Sequence, residues 1–277
     1  MRERPSGAAN AALGRPVDGG PGGGSATGPR AFLDLHVHTS ASFDSLASPE
    51  AQVRAAASRG LTHLAITDHD TIDGALAARA FVEREAVPVT ILVGQEVKTD
   101  SGDLIAVFLT EAIESGLAPA DAIAAVRAQG GLVGIPHPFD KFRGSLLAGA
   151  PEEAADTGNV EASGPAALAP LVDWVEAHNA RIMVGDGNER AALFARAHEL
   201  PGVAVSDAHS TLEVGVAYIA IDGDPSTPEG LLAALPEAEL VTGRATYFVR
   251  AVTPVAKVIQ WARGRGRRAP TGTKTLP

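Results

Sequence analysis

Two histidines one residue apart, in Asp34-Leu35-His36-Val37-His38-Thr39, are the first residues in the chain able to act together on one ion. An extended segment sends residues i and i+2 to the same face, so both imidazoles point one way while Leu33, Leu35 and Val37 pack on the other. Asp34 shares the histidine face, where its carboxylate is a candidate acceptor for an imidazole N–H. Alone, a His-X-His pair is more often structural than metal-binding. Recurrence changes that reading. Leu64-Ala65-Ile66-Thr67 runs into Asp68-His69-Asp70, and Ile91-Leu92-Val93-Gly94 runs towards Glu96. Leu132-Val133-Gly134-Ile135 runs into Pro136-His137-Pro138, and Val203-Ala204-Val205 into Ser206-Asp207-Ala208-His209. Each of these acidic or imidazole residues falls just past the carboxyl end of an apolar strand, and Asp44, in the loop after the first strand, can lean over the same place. A structural histidine has no reason to recur there. The chain has no cysteine, so a metal site must be built from His, Asp and Glu. The other histidines, His63, His178 and His198, read as surface or packing residues, and Asp70, Asp73 and Asp103 as turn formers.

The elements that must position these residues alternate. Phe32 to His38 reads as a strand; Ser48-Pro49-Glu50 then starts a helix with an N-cap and first-turn proline, stopped by Gly60. Thr62–Thr67 is a strand, followed by a helix from about Gly74 to Glu85 and strands over Val89–Val93 and Leu104–Leu109. A helix over Pro119–Gln129 feeds the strand Leu132–Ile135. From Gly144 to Pro170 the pattern fades into a long loop that could close over a ligand. Order returns at Asp173–Glu176 and Arg181–Val184, then a helix over Glu189–Glu199 and the strand Gly202–Val205. Tyr218–Ile221, a short helix near Pro228–Ala234 and a last helix over Thr253–Ala262 complete the chain. Repeated βα alternation across one domain, 31–262, favours a barrel or a doubly wound sheet. In a barrel the strands' carboxyl ends converge on one face, where an active site belongs.

With these motifs in this order, the chain resembles the PHP (polymerase and histidinol phosphatase) domain family over about Ala31 to Ala220. The landmarks are Asp34-Leu35-His36-Val37-His38-Thr39, Ala65-Ile66-Thr67-Asp68-His69-Asp70-Thr71, Gly94-Gln95-Glu96, Pro136-His137-Pro138 and Ser206-Asp207-Ala208-His209. The resemblance implies an α/β fold, a distorted (β/α)7 TIM-like barrel, with two or three divalent ions per chain, commonly Mn, Fe or Zn. It implies that His36, His38, Glu96 and Asp207 hold one ion, that Glu96 bridges to a second bound by His137, and that Asp44, His69 and His209 hold the third. Glu176 and Asn179 match a family pattern as supporting groups, and Asp68 is a possible support for catalysis. Two positions depart from the pattern: Phe43-Asp44-Ser45 stands where Ser-Asp-Gly is usual, and Val205 replaces a common glycine.

The chemistry of the residues agrees with that expectation. Clustered divalent ions lower the pKa of a bound water and neutralise phosphate oxygens, so a metal-activated hydroxide needs no serine or cysteine nucleophile. No Gly-X-Ser-X-Gly elbow is present. Lys141 and Arg143, just past His137, suit a non-reacting phosphate. The expected activity is metal-dependent hydrolysis of phosphate esters in nucleotide-like, short-oligonucleotide or other small phosphorylated substrates. Histidinol-phosphate phosphatase, or a non-catalytic metal-binding barrel, is the alternative. With 33 acidic and 23 basic residues and a net charge of −10 over 277 residues, the surface does not favour stable binding of duplex nucleic acid. No run approaches the roughly 18 apolar residues of a membrane span, and no apolar stretch follows the N-terminal arginines, so a cytoplasmic enzyme is expected. Residues 1–30 read as a disordered leader and 263–277 as a basic flexible tail. The glycine run Gly19–Gly24 lacks the Gly-Lys-Ser/Thr of a phosphate loop. Oligomeric state is not legible.

Overall fold

Short apolar strands separated by capped helices leave the chain one economical way to bury both kinds of element, with the sheet curled inside and the helices around it. The computed structural model describes residues 29–140, 144–147, 165–245 and 247–265. In chain order the strands are β1 (Arg30–Val37), β2 (His63–Ile66), β3 (Thr90–Lys98), β4 (Asp103–Val107), β5 (Leu132–Ile135), β6 (Trp174–Asn179), β7 (Gly202–Val205), β8 (Tyr218–Asp222) and β9 (Glu239–Val241). The helices are α1 (Pro49–Ser58), α2 (Asp73–Glu85), α3 (Pro119–Ala128), α4 (Gly187–Ala197), α5 (Pro228–Ala234) and α6 (Tyr247–Ala262). One sheet runs β7-β6-β5-β4-β3-β2-β1-β8-β9. β1, β2 and β3 are mutually parallel, as are β5, β6 and β7. A parallel bridge between Val37 and Ala208 brings the end of β1 beside the segment after β7 and nearly closes the barrel.

Two apolar layers fix this curvature. Leu64 and Ile66 of β2 face outwards onto Val53, Ala56 and Phe81 of the helices, whereas Ala65 joins Leu33, Leu35, Leu92, Ile105, Trp174 and Val203 in the other cluster. In so aromatic-poor a chain Trp174 is the largest fully buried side chain, and it fits because Gly134 lies against its indole. A Cβ at Gly134 would overlap the ring. Ser48 caps α1 by accepting from Ala51 N, with Pro49 in the first turn.

The structure departs from simple βα alternation in ways that matter for the site. β4 runs antiparallel to both β3 and β5, because β3 continues past Val93 and its residues Gly94–Lys98 pair back with β4. Glu96 is therefore inside a strand, not beyond its end. β1 carries an irregularity between Asp34 and Val37, so Leu33 and Leu35 join one apolar cluster and Val37 the other. That breaks the alternation expected of the His-X-His strand. Arg181–Val184 is a turn, not a strand: Asn179 ends β6 by accepting from Arg181 N through its side chain and from Ile182 N through its carbonyl. Within the expected loop 144–170, a 3-10 helix spans Pro165–Leu171. β9 had no sequence signal, and α6 starts at Tyr247, well before Thr253. Lys141, Arg143, most of the leader and most of the basic tail lie outside the described residues. No described helix is long and apolar enough to cross a membrane.

Candidate metal centre

Glu96 is the hub. Its Oε2 lies 3.3 Å from Nε2 of His36, 3.3 Å from Nε2 of His38 and 3.3 Å from Nδ1 of His69. Its Oε1 lies 3.1 Å from His137 Nε2. The His36 and His38 Nε2 atoms are 2.9 Å apart, with Asp207 Oδ1 at 3.7 and 3.6 Å from them. On the other side Asp44 Oδ2 sits 3.2 Å from His69 Nε2 and 3.1 Å from His209 Nε2. All these side chains are buried except His69, which is partly exposed. The residues singled out from strand ends are thus brought together at one mouth.

The backbone aims two of them. His137 and Asp207 adopt φ values of +29° and +53°, in the left-handed region that side-chain-bearing residues seldom occupy. Such strain persists where surrounding structure fixes it, commonly at functional sites. Around them Glu176 and Asn179 form the supporting layer. Glu176 Oε1 accepts from His36 Nδ1 at 2.6 Å, and its Oε2 accepts from His137 N and Asn179 Nδ2, both at 2.8 Å. Asn179 Nδ2 also donates to Asp207 Oδ2 at 3.0 Å. Asp34 does not touch an imidazole. The broken alternation of β1 turns it away from the mouth, and it accepts instead from the backbone N–H groups of His36, Ser206 and Gly215. Asp68 is likewise turned aside, accepting from Thr39 N and Thr39 Oγ1, each at 2.6 Å.

Several mouth residues escaped the sequence reading. Asp103 lines the cavity because β4 is reversed, which brings its amino end to the mouth; a search of carboxyl ends alone passes over it. Arg181 does follow the carboxyl end of β6, but the apolar residues after it give Arg181–Val184 the pattern of a strand. Glu213 holds His209 by accepting from its N–H at 3.1 Å, and Ser145 accepts from His137 Nδ1 at 3.1 Å. His63, His178 and His198 lie apart: His63 contacts Thr62 and Ser226, His178 donates to Gly243 O, and His198 stacks on Phe194.

The electrostatics are those of a site short of positive charge. Burial disfavours an imidazolium at His36, yet Glu176 and Glu96 outweigh it and lift the group to about 10. At His69 burial is similarly overcome by Glu96 and Asp44, to about 9. His209 goes the other way, to about 4, through burial and the nearby Arg181. Glu96 is held well below the ordinary carboxylate range: burial opposes this, but His69 and His36 prevail. The carboxylates that hold protons on His36 and His69 would likewise favour a divalent cation beside them.

The donors fit such ions. Nδ1–H of His36, His137 and His209 is committed to Glu176, Ser145 and the Asp207 carbonyl respectively, which leaves each Nε2 lone pair facing the cluster. Among the described residues His38 Nδ1 is buried without a hydrogen-bond partner, and His69 Nδ1 has only the 3.3 Å approach of Glu96 Oε2. Ligand atoms of His38, Asp44, His69 and His209 lie within 4.8 Å of one another, as do those of His36, His38 and Asp207. Imidazole and carboxylate donors of this kind suit Zn, Mn or Fe.

Residues 34–151 match the PHP domain family, and residues 185–240 match its PHP-associated segment. An uncharacterized protein of Methanocaldococcus jannaschii is 33% identical over 187 residues, covering 68% of this chain and 69% of the relative. The chain belongs to the PHP family. By that membership it is a metal-dependent phosphoesterase, an enzyme acting on phosphate ester bonds. The 5′-3′ exoribonuclease Rnm of Salmonella typhimurium is 41% identical over 68 residues, 24% of this chain and 23% of the enzyme. A two-domain protein of Bacteroides vulgatus, described as containing a predicted PHP-like metal-dependent phosphoesterase, superposes with a TM-score of 0.61 at 16% identity. It shares the fold; the match covers 78% of this PHP chain and 66% of that protein.

Proposed function

We propose that this PHP chain hydrolyses phosphate esters in nucleotide-like, short-oligonucleotide or other small phosphorylated substrates, with two or three divalent ions (Mn, Fe or Zn) in the mouth. His36, His38, Glu96 and Asp207 would hold one, Glu96 and His137 a second, and Asp44, His69 and His209 a third. The observation that carries this reading is Glu96, with both carboxylate oxygens spread among four imidazoles at 3.1–3.3 Å. Bound ions supply Lewis acidity to the phosphoryl group and lower the pKa of water at neutral pH.

The remaining work falls to the chain itself. Glu176 fixes the tautomer and angle of His36 and, through His137 N, the turn that presents His137. Asn179 holds Asp207 in the rotamer that faces His36 and His38. The buried walls keep bulk water from these carboxylates, so the charges act in a low dielectric. Lys141 and Arg143 are proposed to receive a non-reacting phosphate of the substrate. The stretch shared with the exoribonuclease supports including short oligonucleotides, although it spans only a quarter of this chain. A screen of phosphomonoesters, nucleoside bisphosphates and short oligonucleotides with Mn, Fe and Zn tests the proposal. Metal-dependent release of phosphate or mononucleotide is expected; full turnover by chelated, metal-free protein would refute it.

A further inference from the structure

Helix α6 lies outside both family-matched segments, yet it is tied across the mouth at two points. Near its C-terminal end Gln260 is fully buried, and its Nε2 donates to the carbonyls of Ser40, Ser42 and Ser45 at 2.9, 3.1 and 2.8 Å. Those residues bracket Asp44. About two turns earlier, Thr253 Oγ1 accepts from Arg181 Nη2 at 2.7 Å, and Arg181 reaches the Asp207 carbonyl at 3.5 Å. A single helix thus runs from the loop of Asp44 to the strand end of Asp207, a span of roughly 10 Å at the helical rise.

Between the two ties, Lys257 lines the same cavity, about 520 Å³, as Asp44, Glu96, Asp103 and Asp207. Among the described residues it forms no ion pair with any of these carboxylates. Its Nζ instead stands 5.4 Å from the centre of the Phe43 ring, which in turn lies against His69 with centroids 4.8 Å apart. A lysine needed only to balance the acidic wall would rest on a carboxylate. Held off against an aromatic face, it keeps its three N–H donors available to an anion entering the cavity.

We propose that α6 is the substrate-selecting wall of the mouth, and that Lys257 binds a phosphate of the substrate other than the ester being hydrolysed. Such a group could be the second phosphate of a nucleoside bisphosphate or the next phosphodiester of a short oligonucleotide. Gln260 and the Thr253–Arg181 pair are positioning groups that set the distance between Lys257 and the scissile ester. The inference rests on the phosphoesterase reading above and concerns Lys257, a residue that reading does not use.

The test uses the full chain loaded with Mn and three substrates: adenosine bisphosphate, a 5′-phosphorylated dinucleotide and an aryl phosphate. Lys257→Met, which keeps the apolar stem, should raise KM about tenfold or more where a second phosphate is present, the loss typical of a charge-assisted hydrogen bond. On the aryl phosphate the change should stay within about threefold, and Lys257→Arg should recover most of the loss. Loss on the bisphosphate alone assigns the contact to a terminal phosphate, and loss on the dinucleotide alone assigns it to a diester. Equal loss on all substrates, or none on any, overturns the proposal. If the parent protein hydrolyses none of them, the phosphoesterase reading has failed. Calorimetric binding of adenosine bisphosphate then decides Lys257: a Kd weakened about tenfold by Lys257→Met supports the contact, and an unchanged Kd overturns it.

Discussion

Asp207 combines two demands in one side chain. Oδ1 faces the paired imidazoles of His36 and His38, Oδ2 is held by Asn179, and the left-handed backbone turns the group over the barrel. Asp207→Asn keeps the size and removes the anion. If Asp207 is a ligand, turnover should fall by more than the roughly 10–100-fold typical of losing an outer partner, with metal content reduced and the fold intact. The matched control is His198→Asn at the end of α4, where the ring packs at a tilt against Phe194, away from the mouth. Turnover, metal stoichiometry and circular dichroism on both variants decide it; normal turnover in Asp207→Asn, or metal loss in His198→Asn, would displace the proposed centre. His36, His38, His69, His137 and His209 could be singled out before any fold was known because strand ends leave a linear trace: an apolar run followed by a donor. Asp103 leaves no such trace, since its place at the mouth depends on the direction of β4. Nor does Lys257, whose position depends on tertiary ties between α6 and residues more than two hundred positions earlier.

Elements were legible where a local rule dictates them and obscure where a neighbour does. Leu132–Ile135, Gly202–Val205 and Pro228–Ala234 have the bounds their sequence suggests. The extension of β3, the irregularity in β1 and the edge strand β9 are set by pairing partners, and no local pattern announces them. Gly74 shows how packing reverses a local preference. In an exposed helix interior alanine is more favourable than glycine by about 1 kcal/mol. Here a Cβ in the first turn of α2 would overlap Asp68 Oδ2 and Thr39 Oγ1, a buried hydrogen-bonded pair that steadies the turn after His38. Gly74→Ala should therefore destabilise the protein by about 1–3 kcal/mol, as overpacking commonly does. Urea unfolding measures this, and a gain in stability would mean that the Asp68–Thr39 pair yields freely.

At the scale of the whole molecule, stability and the charge state of the mouth are linked. The facing carboxylates overcome burial to lift His36 to about 10 and His69 to about 9, whereas both titrate near 6.5 in the unfolded chain. Between those values the folded state holds protons that the unfolded state has released. Stability that is fully present below about 6.5 is therefore lost as pH rises towards 9 to 10. Asp68, raised by burial to about 7, contributes in the same direction only at the start of that interval. The melting temperature of metal-stripped protein should accordingly fall between about pH 7 and 9.5. Glu176→Gln, which removes the strongest pull on the His36 proton, should make the slope shallower. Saturating Mn should abolish the fall, because imidazole ligands bind a metal only when deprotonated and the interaction strengthens with pH. A melting temperature that is flat or rising in chelator, or that falls equally with and without Mn, would mean these histidines neither store the protons nor receive the ion. The same groups that draw protons into the mouth would then have no part in drawing metal, and the centre would have to be sought elsewhere in the barrel.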